Sequence, residues 1–382
     1  MQSDSSTSPE GGGSARSLAR DIPRAEWNAL NRNENPFTDH RFLAALETAG
    51  CVGAETGWDP LPLSEAGGFA PAWRKHHSHG EFVFDFAWAE AAHRAGLRWF
   101  PKLLVAAPYS PVTGPRLLGD AKARVALVEA LERRVAAEGS GVASVNFCDA
   151  VDRETLTEAE WLSRWDWQYH WHNHGYRDFE DFLDRLRSKP RKNIRRERRL
   201  AHSGWSYRWI DGEHATEAEL DLLTHCYRIT FLQYRNMPAL NRAFFGQAAR
   251  LFGDRFLACI ASRDGEDRAA SVFWKSPTRL YGRYWGALDD SRDVHFEACY
   301  YQGIERCIAD GLEVFEPGAQ GEHKIRRGFT PIATHSFHHV AHPGLREGIR
   351  RWLQQEDRVL RDLQPELERL LPYGDRAETR RR

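Results

Sequence analysis

The first half of the chain alternates between helical and extended patterns of apolar residues. Apolar side chains spaced by three and four predict helices at 36–50, 88–95 and 120–138. Apolar runs of strand length predict strands at 68–76, 81–85, 97–107 and 142–148. Pro101 indicates that the third of these strands lies at an edge or contains a bulge. Residues 108–115 are too rich in proline and glycine for regular structure, so this half ends with strand, loop, helix and strand.

The second half contains three short strands in close succession. Strands are predicted at 255–262, 269–275 and 279–286, and the short turns between them indicate an antiparallel meander. A helix at 294–309 and a strand at 312–315 follow directly. Further helices are predicted at 217–231, 242–252 and 345–370.

Length and composition restrict the class of protein. With 382 residues the chain is long for one domain, and a net charge of −1 gives no overall attraction to nucleic acid or to an anionic membrane. Six cysteines lie far apart without a CxxC motif, which favours a reducing compartment. No stretch approaches 18 apolar residues, so no membrane span is predicted. Residues 1–20 predict a disordered tail without the apolar segment of a secretory signal, and we expect a cytoplasmic protein.

Several strings between about residues 35 and 343 resemble one known family. They are NPF…H…FLAALE, GEFVFDFAWA, FPKLLVAAPYSPVTGPRLL, WHNHGYRDFEDFLDRLRSKPRKNIRRERR, LYGRYWG, HFEACYYQGIERCI and FEPGAQGEHKIRRGF. Together they resemble the FemAB-like branch of the GNAT superfamily, N-acyltransferases labelled as peptidoglycan biosynthesis or recognition proteins. Meander, helix, strand and loop is also the element order of a GNAT core, and the first half repeats it loosely.

The resemblance implies a fold and a division of the chain. The implied class is α/β (α+β), with two tandem GNAT-like acyltransferase domains that each contain a mixed, mainly antiparallel sheet flanked by helices. The first domain is expected at 21–176 and the second, with the catalytic loop, at 177–343. Residues 344–382 are expected to form a C-terminal helix and a basic tail.

The resemblance also implies an activity. Fem-type relatives transfer an amino acid from aminoacyl-tRNA to an amine of a cell-wall precursor, so an acyl- or aminoacyl-transferase acting on an anionic substrate, such as a cell-wall precursor, is expected. The donor, aminoacyl-tRNA or acyl-CoA, would be a co-substrate, and no tightly bound cofactor is expected. Two alternatives stay open: a non-catalytic module that binds cell-wall fragments or nucleotide sugars, and an acetyl-CoA-dependent small-molecule N-acetyltransferase.

The segment that would bind the pyrophosphate of acetyl-CoA is atypical. Conventional acetyltransferases of this superfamily hold the pyrophosphate on a Gly-rich turn at the start of the central helix. Here the corresponding stretch, GALDDSRDVHFEACY, has no Gly-x-Gly and carries Asp289, Asp290 and Asp293. These carboxylates would repel a pyrophosphate, so the usual pose of acetyl-CoA is disfavoured.

The stretch EPGAQGEHKIRRGFTP, residues 316–331, is the strongest candidate for catalysis. It is too rich in glycine to predict a helix and too charged for a core strand. In Fem-type transferases a lysine in this place faces the acyl group, so the resemblance implies that Lys324 stabilises negative charge on the acyl carbonyl. Glu322 or His323 would take the amine proton. Arg326 and Arg327 would hold a phosphate, unless the loop is a solvated turn whose charges pair with each other.

Two neighbouring elements carry further candidates for substrate binding. His295 and Glu297 stand at the start of the central helix, where Glu297 could equally be an ordinary helix-start acid. Alternation along LYGRYWG predicts that three side chains share the face opposite Tyr284, namely Tyr281, Arg283 and Trp285. One of the two faces is expected to line the cleft.

The Pro/Gly loop of the first half is a further candidate. In PYSPVTGPR, residues 108–116, Arg116 could bind an anion, and Lys102 and Tyr109 are secondary candidates. A purely structural turn is the alternative.

Residues 189–199 contain seven basic residues in eleven positions. A helical period places four of them on one face: Lys192, Arg195, Arg196 and Arg199. Such a face suits the phosphates of tRNA or of a nucleotide-linked precursor, although basic runs are often only solvated surfaces. No signature of sequence-specific nucleic-acid binding is present, and the His-rich stretch HWHNHG lacks the ligands that would complete a metal site.

Overall fold

The structure is a computed structural model that describes residues 22–61, 63–289, 292–319 and 321–374, without the side chains of residues 292 and 293. The tail predicted at 1–20, Asp290 and the basic end of the chain lie outside the described residues. The α-helices are Arg24–Ala29, His40–Thr48, Phe86–Arg94, Ala121–Glu138, Ala150–Glu158, Phe179–Asp184, Ser188–Ala201, Glu217–Gln233, Arg242–Phe252, Arg292–Phe296, Gln302–Ala309 and Pro343–Leu370. Among the described residues, no helix has the length and apolarity needed to cross a bilayer.

The strands are β1 Trp58–Pro60, β2 Leu63–Glu65, β3 Gly68–Ala70, β4 Ala72–Lys75, β5 Lys102–Val105, β6 Val142–Val145, β7 Leu162–His172, β8 Trp205–Asp211, β9 Phe256–Arg263, β10 Glu266–Lys275, β11 Arg279–Ala287, β12 Val314–Glu316 and β13 Thr330–Val340. Eleven of these strands form one sheet, in the order β1-β4-β5-β6-β13-β7-β12-β11-β10-β9-β8. The pairs β5–β6 and β11–β12 are parallel, and the other pairs are antiparallel. The predicted mixed, mainly antiparallel α/β architecture is confirmed.

The same sequence of elements occurs in both halves of the sheet. An antiparallel meander leads to a helix, and the strand after the helix returns parallel to the last strand of the meander. The strands that follow are exchanged between the halves, since β7 pairs with β12 and β13 pairs with β6. The boundary predicted at 176/177 stays a prediction, and three strand pairs cross it: β7–β12, β6–β13 and β7–β13.

Helices pack on both faces of the sheet and complete its hydrophobic cores. On one face of β9–β11, Phe37 contacts the rings of Trp274 and Tyr281, each 5.5 Å away, so the first half of the chain contributes to the core of the second. On the other face, Phe273 packs at 6.1 Å from Phe315, beneath the central helix. The two halves of the chain therefore bury apolar side chains against each other.

Several sequence-based predictions need correction. Residues 81–85 are not a strand: Phe82 has a φ of +60°, and the two ends of the segment turn carboxylates towards Lys102. Pro101 precedes β5, which lies between β4 and β6 rather than at an edge. The central helix is interrupted by a π-helical segment, Glu297–Tyr301. The strands β7, β8 and β13 were not predicted.

Candidate functional site

A cavity of about 220 Å³ opens where the parallel strands β11 and β12 part. Their last pair is Tyr281 opposite Glu316, and beyond it the backbones diverge. The part of β11 that is not paired with β12, residues 282–285, and residues 317–319 after β12 line the cavity together with the central helix. Because the strands no longer exchange hydrogen bonds there, the fold leaves space for a ligand at this edge. We call this space the β11–β12 cavity.

Lys324 lies in the wall of the β11–β12 cavity and is almost completely buried. It belongs to a 3₁₀ helix, Glu322–Arg327, which corrects the prediction that this stretch is not helical; Gly328, with a φ of +96°, ends the helix. The Nζ atom donates to the Gly318 carbonyl oxygen at 2.7 Å. Loss of hydration lowers the pKa of Lys324 to about 7, and the charge of Arg283 acts in the same direction.

Arg283 is the second cation on this cavity. Opposite Val272 and Phe273, β11 contains a bulge, and Arg283 is the residue without a cross-strand partner. Its Nη2 donates to the Tyr109 carbonyl oxygen at 3.0 Å, whereas its Nε has no hydrogen-bond partner among the described residues. Burial lowers the pKa of Arg283.

The bulge also corrects the predicted alternation along β11. Tyr281 and Tyr284 pack into the same hydrophobic core, with rings 5.5 Å from Phe37 and 5.1 Å from Tyr227 respectively. Trp285 lies on the other face and lines the cavity. The extra residue of a bulge reverses the side on which subsequent side chains point, so strict period-two alternation fails here.

His295, Tyr300 and His323 form a connected group beside Lys324. His295 and Tyr300 line the cavity, and the Tyr300 hydroxyl is 3.0 Å from Nε2 of His323. Burial, followed by nearby positive charges, lowers the pKa of His295 to about 4. The pKa of His323 is also lowered, mainly by burial. Both imidazoles are therefore neutral at neutral pH and can accept a proton.

The other charged residues of the 3₁₀ helix point elsewhere. Glu322 and Arg326 are exposed, and Glu322 lines a neighbouring cavity. Arg327 is buried and forms an ion pair with Glu197 at 2.9 Å, while its guanidinium lies 3.6 Å from the ring centroid of Phe296. Arg327 is thus held in place by protein groups.

Glu297 does not face the β11–β12 cavity. Its completely buried carboxylate binds Arg198 at 2.8 Å and His202 at 3.1 Å and accepts a hydrogen bond from Gln302. Glu305 completes the group through a second ion pair with Arg198. This network fastens the helix Ser188–Ala201 to the central helix.

The predicted basic helix spans Ser188–Ala201. Arg195 forms an ion pair with Glu180. Four exposed residues spaced three and four apart have no ion-pair partner among the described residues: Lys189, Lys192, Arg196 and Arg199. We call these four residues the basic stripe. The opposite face of the same helix carries Glu197, which holds the Lys324 segment through Arg327.

Three candidates from the first half lie outside the cavity. Lys102 is completely buried, with ion pairs to Glu81 at 2.8 Å and to Asp85. Arg116 is also completely buried, and it donates to the carbonyl oxygens of residues 112, 115 and 146. Tyr109 approaches the site only through its carbonyl oxygen, which accepts from Arg283.

Tyr300 and Cys299 line the cavity but were not among the candidates predicted from the sequence. Tyr300 lies inside the helix predicted at 294–309, and the pattern of apolar residues there does not indicate that its hydroxyl lines a cavity. Cys299 also lines the cavity, and burial raises the pKa of its thiol well above the usual range. The cysteine therefore stays protonated and is a poor nucleophile.

Comparisons with known proteins agree with this architecture. A family model named FemAB-like and described as peptidoglycan biosynthesis/recognition matches residues 18–375. No curated protein sequence matches the chain.

Two solved structures resemble the chain over most of its length. One is the C-terminal domain of a putative lysylphosphatidylglycerol synthetase from Agrobacterium fabrum, with 10% identity, a TM-score of 0.52, and coverage of 86% of this chain and 94% of that one. The other is FemX, with 9% identity, a TM-score of 0.51, and coverage of 86% and 98%. At this identity the likeness shows a shared fold.

Proposed function

Because the chain belongs to the FemAB-like family of peptidoglycan biosynthesis and recognition proteins, we propose that it transfers an acyl or aminoacyl group to an amine in the β11–β12 cavity. The acyl donor is an aminoacyl-tRNA or an acyl-CoA. The similar structures include a domain of a putative lysylphosphatidylglycerol synthetase and FemX, and transfer of an aminoacyl group is consistent with such relatives.

One observation carries the proposal: the buried Lys324 and the half-buried Arg283 lie on the cavity without a carboxylate in contact. Among the described residues, neither Lys324 nor Arg283 forms an ion pair. Burying a charge without a counter-ion costs free energy, which an anion or a developing oxyanion in the cavity would recover. A carbonyl oxygen that becomes negative during acyl transfer is such a group.

Residues at the cavity can carry out each step of the reaction. The neutral amine attacks the acyl carbon, and Lys324 donates from its ammonium to the oxygen that becomes negative. Tyr300 accepts a proton from the attacking nitrogen while it passes its own hydroxyl proton to Nε2 of His323. The tetrahedral intermediate then collapses, and the proton held on Nε2 of His323 returns through the Tyr300 hydroxyl to the leaving ribose oxygen or thioester sulfur. The thiol of Cys299 takes no part, because burial keeps it protonated.

The basic stripe supports a donor rich in phosphate. Its four cations project from the helix whose inner face holds the Lys324 segment. A tRNA bound there would be positioned by phosphate contacts without sequence readout. Acyl-CoA has far fewer phosphates and would use this surface less.

A transfer assay tests the proposed function. The full chain is incubated with labelled aminoacyl-tRNA or acyl-CoA and a set of amines, and products are identified by mass. We expect a product whose mass increases by one acyl group, and a rate lowered at least about 10²-fold in Lys324→Met, as for loss of an oxyanion donor. Binding of donors without any product would instead favour the non-catalytic module.

A further inference from the structure

A second cavity, of about 250 Å³, adjoins the first. Its walls are the β7 residues Asp166 and Gln168, hydroxyl-bearing residues of β13 and the segment 82–84. Ala319 lines both cavities, and Glu322 borders the second one. Ala319 therefore lies between the two cavities. We call the second space the β7 cavity.

The two cavities carry opposite charge. Asp166 and Glu322 both line the β7 cavity, and within the part of the chain that the structure describes neither has an ion-pair partner. The cation on this cavity, Arg164, is already bound, because it pairs with Glu356 at 2.8 Å and donates to the Phe84 carbonyl oxygen. Its charge is consequently not available to a ligand.

The charges of both carboxylates act on Tyr169, which lines the β7 cavity. The phenol of Tyr169 has its pKa raised to about 12, first by burial and then by the charges of Glu322 and Asp166. Asp166 itself is exposed, and partial loss of hydration raises its pKa. The charges of both carboxylates therefore act on the same buried phenol, and a ligand cation in the β7 cavity would be attracted to them.

Exposed aromatic rings form the other side of the β7 cavity. Phe82 is 38% exposed and Phe84 is 55% exposed, which is high for phenylalanine and leaves apolar surface uncovered. The ring of Phe82 also lies 5.9 Å from the guanidinium carbon of Arg283, so this side chain reaches from one cavity to the other. Aromatic faces with carboxylates nearby are a typical environment for an ammonium group.

We propose that the β7 cavity binds the acceptor, a primary ammonium attached to an apolar group, before its nitrogen reacts beside Lys324. The ammonium lies between Asp166 and Glu322, and the apolar part packs on Phe82 and Phe84. After the ammonium has lost one proton to solvent, the neutral amine moves past Ala319 into the β11–β12 cavity. The role of this subsite as the acceptor site rests on the proposed function. Its preference for an ammonium with an apolar group rests only on the charge and shape of the β7 cavity.

Calorimetry with the full chain and three simple probes tests the subsite. The probes are 2-phenylethylammonium, the neutral 2-phenylethanol and the anionic 3-phenylpropanoate. We expect only the ammonium to bind, with affinity at least about tenfold weaker in the double variant Asp166→Asn/Glu322→Gln. Equal binding of the alcohol, an unchanged affinity of the double variant, or no binding of the ammonium would overturn the proposal.

Control variants separate charge from folding. Asp264→Asn/Glu313→Gln removes two exposed carboxylates that do not line the cavity, and it should bind 2-phenylethylammonium like the wild type. If the double variant at Asp166 and Glu322 fails to fold, Phe84→Leu tests the aromatic side on its own. Because Phe84 is largely exposed, this change should weaken binding severalfold without loss of fold; unchanged binding would count against the proposal.

The outcomes distinguish the subsite from the proposed function. If the ammonium binds but no donor supports acyl transfer, the proposed subsite is supported and the proposed function is contradicted. If Asp166→Asn/Glu322→Gln transfers the acyl group with an unchanged KM for the amine, the proposed function is supported and the proposed subsite is contradicted.

Discussion

Glu197 and Arg327 form an ion pair, 2.9 Å between Oε1 and Nη2, that joins the helix of the basic stripe to the segment carrying Lys324. Glu197 also accepts from the Tyr301 hydroxyl. The surface proposed to bind the donor and the group proposed to act on its acyl carbon are thus mechanically connected. The β11–β12 cavity is positioned by this contact as well as by the sheet.

Breaking this contact should lower stability and transfer together. Glu197→Gln leaves the buried Arg327 without its counter-ion, and we expect a loss of about 1–3 kcal/mol in the free energy of unfolding, measured in urea. Glu180→Gln is the matched control, since its ion pair with Arg195 is exposed and should contribute less than about 1 kcal/mol. Equal effects of the two changes would contradict a structural role for Glu197.

The buried lysine should make stability depend on pH. Because its pKa falls from 10.5 to about 7 on folding, the unfolded chain binds the extra proton between these values, and stability rises with pH across this window. Lys324→Met should be more stable than the wild type near pH 7, and the difference should shrink by about 1.4 kcal/mol per pH unit towards pH 10. The exposed Lys122→Met should show no such trend in thermal melts at several pH values.

The Tyr300 hydroxyl should matter for turnover more than for folding. Tyr300→Phe removes the hydrogen bond to His323, and we expect transfer to fall by about 10²-fold with a loss of stability of about 1 kcal/mol. Tyr234→Phe, at a side chain that is largely exposed, is the control. Full activity of Tyr300→Phe would show that the Tyr300 hydroxyl does not transfer the proton.

The basic stripe should distinguish the two donor classes. Lys192→Gln/Arg196→Gln should weaken tRNA binding and flatten its salt dependence, with the slope against log salt reduced by about 0.7–0.9 per lost phosphate contact. Lys122→Gln/Arg358→Gln removes two exposed cations on other helices and should leave the slope unchanged. Filter binding at several salt concentrations measures both. A slope unaltered by the first pair would exclude the stripe as a phosphate-binding surface.

Local patterns predicted local structure well. The helix Arg242–Phe252 and the meander β9–β11 were predicted because periodicity and turn residues are written into short stretches of sequence. The pairing of β13 with β6 joins residues nearly two hundred positions apart, which no local pattern encodes. The resemblance to the family directed attention to Lys324, but the sequence alone did not indicate that its charge is buried.

The parts of the site that were missed depend on tertiary context. A single bulge at Arg283 places Trp285 on the face opposite Tyr281, although the two were predicted to share one, and no turn residue in the sequence indicates the bulge. Arg116 and Lys102 were chosen as charged residues near a loop, yet both are buried and bound by protein groups. Whether a charge is already paired is decided by residues that are distant in sequence.

The most direct test of the central claim is an NMR titration of Lys324 in protein labelled with [¹³C]lysine, with its signal assigned by absence in Lys324→Met. We expect an apparent pKa of about 7 in the free protein and a higher value once an anionic acyl donor occupies the β11–β12 cavity. An ordinary lysine pKa that does not respond to any donor would contradict it.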